Sequence, residues 1–386
     1  MNKLKVIFAN RKECFEKPGG DTVQMMKTKE YLETFYPVEI KICLNPQEIL
    51  KNEDAKIVHI FNLETINETN DFIAAAKKTG KKVALSTINW DYSDLYFVKY
   101  LSFIGVYDCF QILYPFKNII IKLFNFFLKT IYFDKFENYI SKGMYGTKEY
   151  FQKRINAINN ADLLLPNSDE EAQMLLKEYK INKDALYSKL CIVPNAIEYK
   201  KIPENKGKKY PDLNNFVLEV GRIEPTKNQM GVVKALYNNP EIQIVFIGKV
   251  QDKQYFENLK KLSQERGNVH ILSYAPYEDI LELYNTAVCH ILPSFKETTG
   301  LVSLEALISG CQIVVASEKY CPVEYYEFDK YAFICDPYDV ESVKMAVLQA
   351  FYHPKDIVLP KEYTKRFSYE NVAKRTYEAY KRLGIE

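Results

Sequence analysis

One pattern limits the fold of this chain more than any other. Short apolar runs recur along it, each followed by a polar, helix-like stretch. They fall at residues 4–9, 38–43, 57–61, 83–85 and 161–166, and again at 216–220, 243–248, 269–274, 288–292, 313–315 and 331–335. Each has the length of a strand and closes on Gly, Pro or a polar cluster. Strands alternating with helices build parallel sheets covered by helices, so the fold class is α/β. At 386 residues the chain is long for a single core, and two domains are the default. The polar linker KKIPENKGKKYPDLNN (200–215) separates the two sets of runs.

Bulk properties remove several classes of function. The chain carries 52 basic and 50 acidic residues, a net charge of +2, which gives no global argument for a nucleic-acid partner. Eight scattered cysteines include no CxxC pair, so neither a disulfide framework nor a zinc site is indicated. The start, MNKLKVIFANRK, has too short an apolar stretch for a signal peptide and reads as the first strand. A reducing cytoplasm is the expected compartment.

The densest chemistry lies in VCHILPSFKETTGLVSLEALISGCQIVV (288–315). It reads as strand, polar loop, helix and strand, and in a parallel sheet such a loop lies where ligands collect. Glu297 stands on the loop and Glu305 a turn and a half into the helix. Ionised carboxylates only accept hydrogen bonds, and their two oxygens suit pairs of hydroxyls. The amides of Gly300 and Leu301 open the helix and suit an anion. Hydroxyls at both ends with negative charge between them describe a sugar nucleotide. Taken alone, two glutamates are better read as a solvated loop acid and a helix-surface acid. Arg222 and Lys227 flank the turn after the run FVLEV. A diphosphate is a natural partner for two such cations, and a surface Arg–Glu pair is the alternative. Pro18-Gly19-Gly20-Asp21 follows the first strand, where backbone can approach phosphate or simply make a tight turn.

ETTGLVSLEAL, with the GR…K turn, resembles the donor-site signature of the retaining glycosyltransferases of family four, of the bacterial cell-surface polysaccharide type. That resemblance implies a GT-B fold, in which two Rossmann-like domains with parallel sheets face each other across a cleft. It implies that Glu297 contacts the transferred sugar, Glu305 the ribose, and Thr299, Gly300 and Leu301 the donor between them. It places Arg222 and Lys227 on the leaving diphosphate, which Gly19 and Gly20 face from the other domain. Arg222, Lys227 and Glu297 are then the catalytic set. No cofactor is held permanently; a UDP- or GDP-sugar is the co-substrate, and a saccharide or lipid-linked saccharide the acceptor. No Asp-x-Asp motif is present, so no metal ligand is assigned and the two cations take the place of Mg²⁺. The family's Pro and aromatic after the first Glu are replaced by Thr298 and Thr299. Its His after the fourth strand is replaced by Asn89, Trp90 and Asp91, so no catalytic His is assigned. Domain one is expected over 1–197, completed by a terminal helix at 368–386, and the donor domain over 198–367. A catalytically silent nucleotide-sugar binder and a GT-B epimerase are the other readings; the epimerase needs acid–base side chains that do not stand out here.

Residues 92–143 break the α/β rhythm and are expected as an aromatic insert in domain one. No acid occurs between Asp108 and Asp134. Asn118, Lys122, Asn125 and Lys129 draw one narrow polar stripe on an otherwise apolar helix. With Lys117 this predicts an interfacial helix, and residues 95–133 are expected to touch the anionic inner face of the cell membrane; packing inside domain one or against a second subunit is the other reading. His59, His270 and His290 sit in apolar runs and are expected in the core, with His59, Asn89 and Trp90 as weaker acceptor candidates. Ser168 and Glu171 predict a capping box.

Overall fold

The computed structural model describes residues 3–131, 146–198, 210 and 212–385. It divides into two compact units, Met1–Asp91 with Lys122–Glu198 and Lys365–Glu386, and Tyr92–Ile121 with Tyr199–Thr364. The first unit carries β1 (Leu4–Ala9), β2 (Val38–Cys43), β3 (Ile57–Phe61), β4 (Lys82–Ser86) and the short β5 (Leu163–Leu164). They form one sheet in the order β2-β1-β3-β4-β5, parallel throughout. All five residues of β3 are buried, because helices cover both faces. Val58, Ile60, Val83 and Leu85 pack on one face with Phe72 and Ile158, and Phe8, Ile57 and Ala84 on the other with Met25, Ala373 and Tyr380.

That packing decides the weaker acceptor candidates. His59 is buried between two hydroxyls, Nδ1 at 2.7 Å from Tyr380 and Nε2 at 2.8 Å from Ser86. Burial pushes its pKa down to about 3, so the ring is neutral. Trp90 and Asn89 are buried too, and the Asn89 carboxamide accepts from Arg154 at 2.8 Å. All three serve the core, correcting their place among acceptor contacts. Ser168 caps its helix as expected, accepting from the Glu171 amide at 3.0 Å. The Glu171 carboxylate does not close the box. It accepts from the amides of Asn89 and Asn167, both at 2.8 Å, and from the Thr87 hydroxyl. This clamps the chain around Ile88, whose φ of 43° is strained for a β-branched residue.

The second unit carries β6 (Phe216–Val220), β7 (Gln243–Ile247), β8 (Val269–Leu272), β9 (Cys289–Leu292), β10 (Ile313–Ala316) and β11 (Ala332–Cys335). Their order is β11-β10-β9-β6-β7-β8, again all parallel. The chain winds outward from β6 in one direction, then returns to lay β9 on its other side. The switch point therefore lies between β6 and β9, and the crevice beyond their C-terminal ends is where such sheets bind ligands. His290 on central β9 is buried, whereas His270 on edge strand β8 is exposed, a correction to its expected core position. β8 is the last strand of the sheet among the described residues, and sheet edges are less completely covered than their centres.

The aromatic stretch also departs from expectation. Residues 92–121 pack with the second unit, not the first. The helix Ser93–Phe103 buries nine of its residues, Tyr96, Phe97 and Tyr100 among them, so it is core rather than membrane face. Asp94 anchors it, accepting from the Tyr338 hydroxyl at 2.8 Å and pairing with Lys117 at 3.1 Å. Sequence periodicity could not supply partners more than 200 residues away. The helix Lys117–Ile131 follows. No helix among the described residues is long and apolar enough to cross a membrane.

Candidate functional site

Two loops leave the switch point. After β6 comes Gly221-Arg222, then a tight turn, Pro225–Lys227, and a helix, Gln229–Ala235. After β9 comes Pro293 to Gly300 and the helix Leu301–Ile308. A backbone bond ties them together, the Phe295 amide donating to the Thr226 carbonyl at 2.9 Å. The turn after β6 also needs Gly248 at the end of β7, where a Cβ would lie 1.9 Å from the Gly221 carbonyl oxygen. Gly300, the residue before the second helix, has φ 71°, a conformation other residues adopt at a cost. The Ser303 and Leu304 amides both donate to the Gly300 carbonyl, at 2.9 and 3.1 Å, and the start of the helix is electropositive.

On this frame the structure brings Lys227 and Glu297 together. Their ammonium and carboxylate lie 2.5 Å apart, each side chain about one-seventh exposed (15% and 13%). Arg222 pairs at 2.9 Å with Glu224, which is buried while Arg222 itself is 56% exposed. Both candidate cations thus hold carboxylates, and the expected Arg–Glu alternative exists beside the charge cluster rather than instead of it. Glu305 faces less polar surroundings on the helix, and burial pushes its pKa up to about 7. Thr299 is buried, with its hydroxyl 3.2 Å from that of Tyr326. Gly19 and Gly20 stand in the first unit at the start of the helix Gly20–Phe35. Gly19 has an ordinary extended backbone, φ −125°, and the Arg11 guanidinium beside it pairs with Asp21 at 3.1 Å.

Sequence reasoning missed Glu219. It sits in the middle of β6, buried, with neither carboxyl oxygen hydrogen-bonded among the described residues. Burial holds it well above the ordinary carboxylate range; Lys227 opposes this and Glu297 reinforces it. The signal was available, an acid inside the apolar run FVLEV, where a charged form would be costly. Among the described residues no cluster of three or more His, Cys, Asp or Glu side chains is arranged to hold a metal ion.

With this geometry in place, comparison with known proteins defines the class. Sucrose-phosphate synthase from Thermosynechococcus elongatus superposes with TM-score 0.71 at 14% identity, covering 99% of each chain. Anabaena HepE, solved in complex with UDP and glucose, gives 0.66 at 14% identity over 98% of this chain and 99% of its own. The fold is GT-B, two parallel-sheet α/β domains. Residues 201–369 match the sequence model of the family described as glycosyl transferases group 1, and the chain resembles the family-four glycosyltransferases. An Escherichia coli relative, O-antigen chain mannosyltransferase B, is 25% identical over 252 residues. The match covers 61% of this chain and 64% of that one, under two thirds of the relative's length.

Proposed function

We propose that this chain is a retaining glycosyltransferase that moves a sugar from a nucleotide-diphosphate sugar to a saccharide or lipid-linked saccharide in cell-surface glycan synthesis. The observation that carries it is the charge set at the switch point, Lys227 against Glu297 with Arg222 beside them. On donor binding the diphosphate takes Lys227 and Arg222, and Glu297 turns to hydroxyls of the sugar. Glu305 accepts from the ribose, and the amides of Gly300 and Leu301 meet the negative charge between. As the glycosidic bond to the diphosphate breaks, charge grows on its leaving oxygen, where fixed cations lower the barrier. That oxygen takes the acceptor's proton on the face it leaves, so the new bond forms on the same face. The O-antigen relative favours a surface-glycan acceptor.

Incubation with UDP- and GDP-sugars together with saccharide acceptors tests this reading. The expected result is release of one nucleoside diphosphate, unchanged by EDTA, with a rise in melting midpoint from that nucleotide alone. Loss of activity in EDTA with recovery in Mg²⁺ or Mn²⁺ would sink the metal-independent mechanism. Binding without release would make the chain a silent binder.

A membrane contact belongs to the same reading, through a smaller surface than residues 95–133. On the helix Lys117–Ile131, Ile119, Leu123 and Phe126, spaced four and three, are each more than half exposed. They form an apolar stripe wide enough for interfacial docking. The expected polar stripe is changed, since Asn125 is buried and Lys117 points to Asp94. Lys122 is exposed beside the apolar stripe and adds about 1 kcal/mol near an anionic leaflet, so apolar burial must supply most of the binding. Wild type is expected to float with anionic vesicles and an Ile119→Glu/Leu123→Glu variant to stay behind. Equal flotation of the two would remove the stripe from any docking role.

A further inference from the structure

The segment that left the expected domain reaches both loops of the site. Tyr107, buried, places its hydroxyl 3.2 Å from Oδ1 of Asn228 and 3.4 Å from the Pro225 carbonyl oxygen. Its ring meets Tyr255 edge-on at 5.2 Å, and the Tyr255 hydroxyl accepts from the Met230 amide at 3.0 Å. Phe110 packs at 5.7 Å from Phe295 on the second loop, and Tyr338 lies 4.6 Å from that same ring. Lys296, next to Glu297, sets its ammonium 3.9 Å from the centre of the Tyr92 ring.

Asn228 is the link that matters. It follows Lys227 directly, is fully buried and turns the chain into the next helix with φ 64°. Its Nδ2 donates to the Pro337 carbonyl at 2.9 Å. A Cβ at Gly231 would lie 2.4 Å from Oδ1, so a side chain there would expel the carboxamide. The oxygen packs against Gly231, and there it accepts from Tyr107.

We infer that Tyr107 is a positioning residue for the diphosphate site: its hydroxyl fixes Asn228 and, through that residue's backbone, the direction of the Lys227 ammonium. This rests on the proposed donor site and extends it, making the segment Tyr92–Ile121 a brace for both loops. Tyr107→Phe keeps the ring and removes only the hydroxyl. A buried acceptor that loses its donor moves or pays for its desolvation, and the shift reaches Lys227 first.

The test is a double-mutant cycle read by calorimetric titration of UDP and GDP, with melting midpoints recorded for every variant. Tyr107→Phe is expected to weaken diphosphate binding about fivefold in the wild-type background and less than twofold in Lys227→Ala. Equal weakening in both backgrounds would reduce Tyr107 to general packing and overturn the inference, as would no weakening in either. Wild-type protein that binds neither nucleotide would overturn the donor site itself, and the inference with it.

Discussion

Lys227→Ala should lower kcat/KM by roughly 10²- to 10³-fold, the usual cost of deleting one group aimed at transition-state charge. Arg222→Ala should cost only about tenfold, the scale of a charged hydrogen bond. The difference follows from the environments. Lys227 is 15% exposed and held between the two loops, so water cannot replace it. Arg222 is 56% exposed, and solvent screens whatever it contributes. Removing Lys227 also leaves Glu297, itself 13% exposed, without its cation when no donor is present. Initial rates with saturating and limiting donor, together with the melting midpoint, separate this from unfolding. Activity within twofold of wild type in Lys227→Ala would mean that charge on the leaving diphosphate is balanced elsewhere.

Much of this architecture was legible because it is written in local pattern. The eleven apolar runs became eleven strands, and Ser168 caps the helix Asp169–Tyr179 as predicted. Arg222, Lys227, Glu297 and Glu305 were visible because ETTGLVSLEAL and the GR…K turn resemble a known donor-site signature, and the structure places all four in one unit. What stayed hidden depends on distant partners. Asp94 finds Tyr338, Phe110 finds Phe295 and Tyr107 finds Asn228, none of which periodicity can pair. An aromatic helix with few acids suits a membrane or a protein core equally well by composition. The structure divides that stretch, with most of Ser93–Phe103 buried and Ile119, Leu123 and Phe126 exposed. Strand order was equally out of reach. Only the return of β9 to the side of β6 explains why the two charged loops lie together.

Glu305 makes the second large prediction, through pH. Burial raises its carboxyl from an ordinary value of 4.5 to about 7, so the folded protein holds a proton there that the unfolded chain releases. Its contribution is therefore most favourable below pH 4.5 and is lost as pH rises through 7. Ribose hydroxyls, by contrast, need the ionised form as their acceptor. A nucleotide sugar, whose diphosphate is esterified at both ends and does not titrate here, should bind about tenfold more weakly at pH 6 than at pH 8. Glu305→Gln should flatten that profile, because an amide carbonyl accepts a hydrogen bond at every pH. The same variant should gain stability relative to wild type as pH rises from 4.5 to 8. Glu305→Ala should bind roughly 10- to 150-fold more weakly than ionised wild type. Titrations at pH 6, 7 and 8 decide the matter. A flat wild-type profile, or a slope kept in Glu305→Gln, would remove Glu305 from the ribose and leave it an acid held at a helix surface.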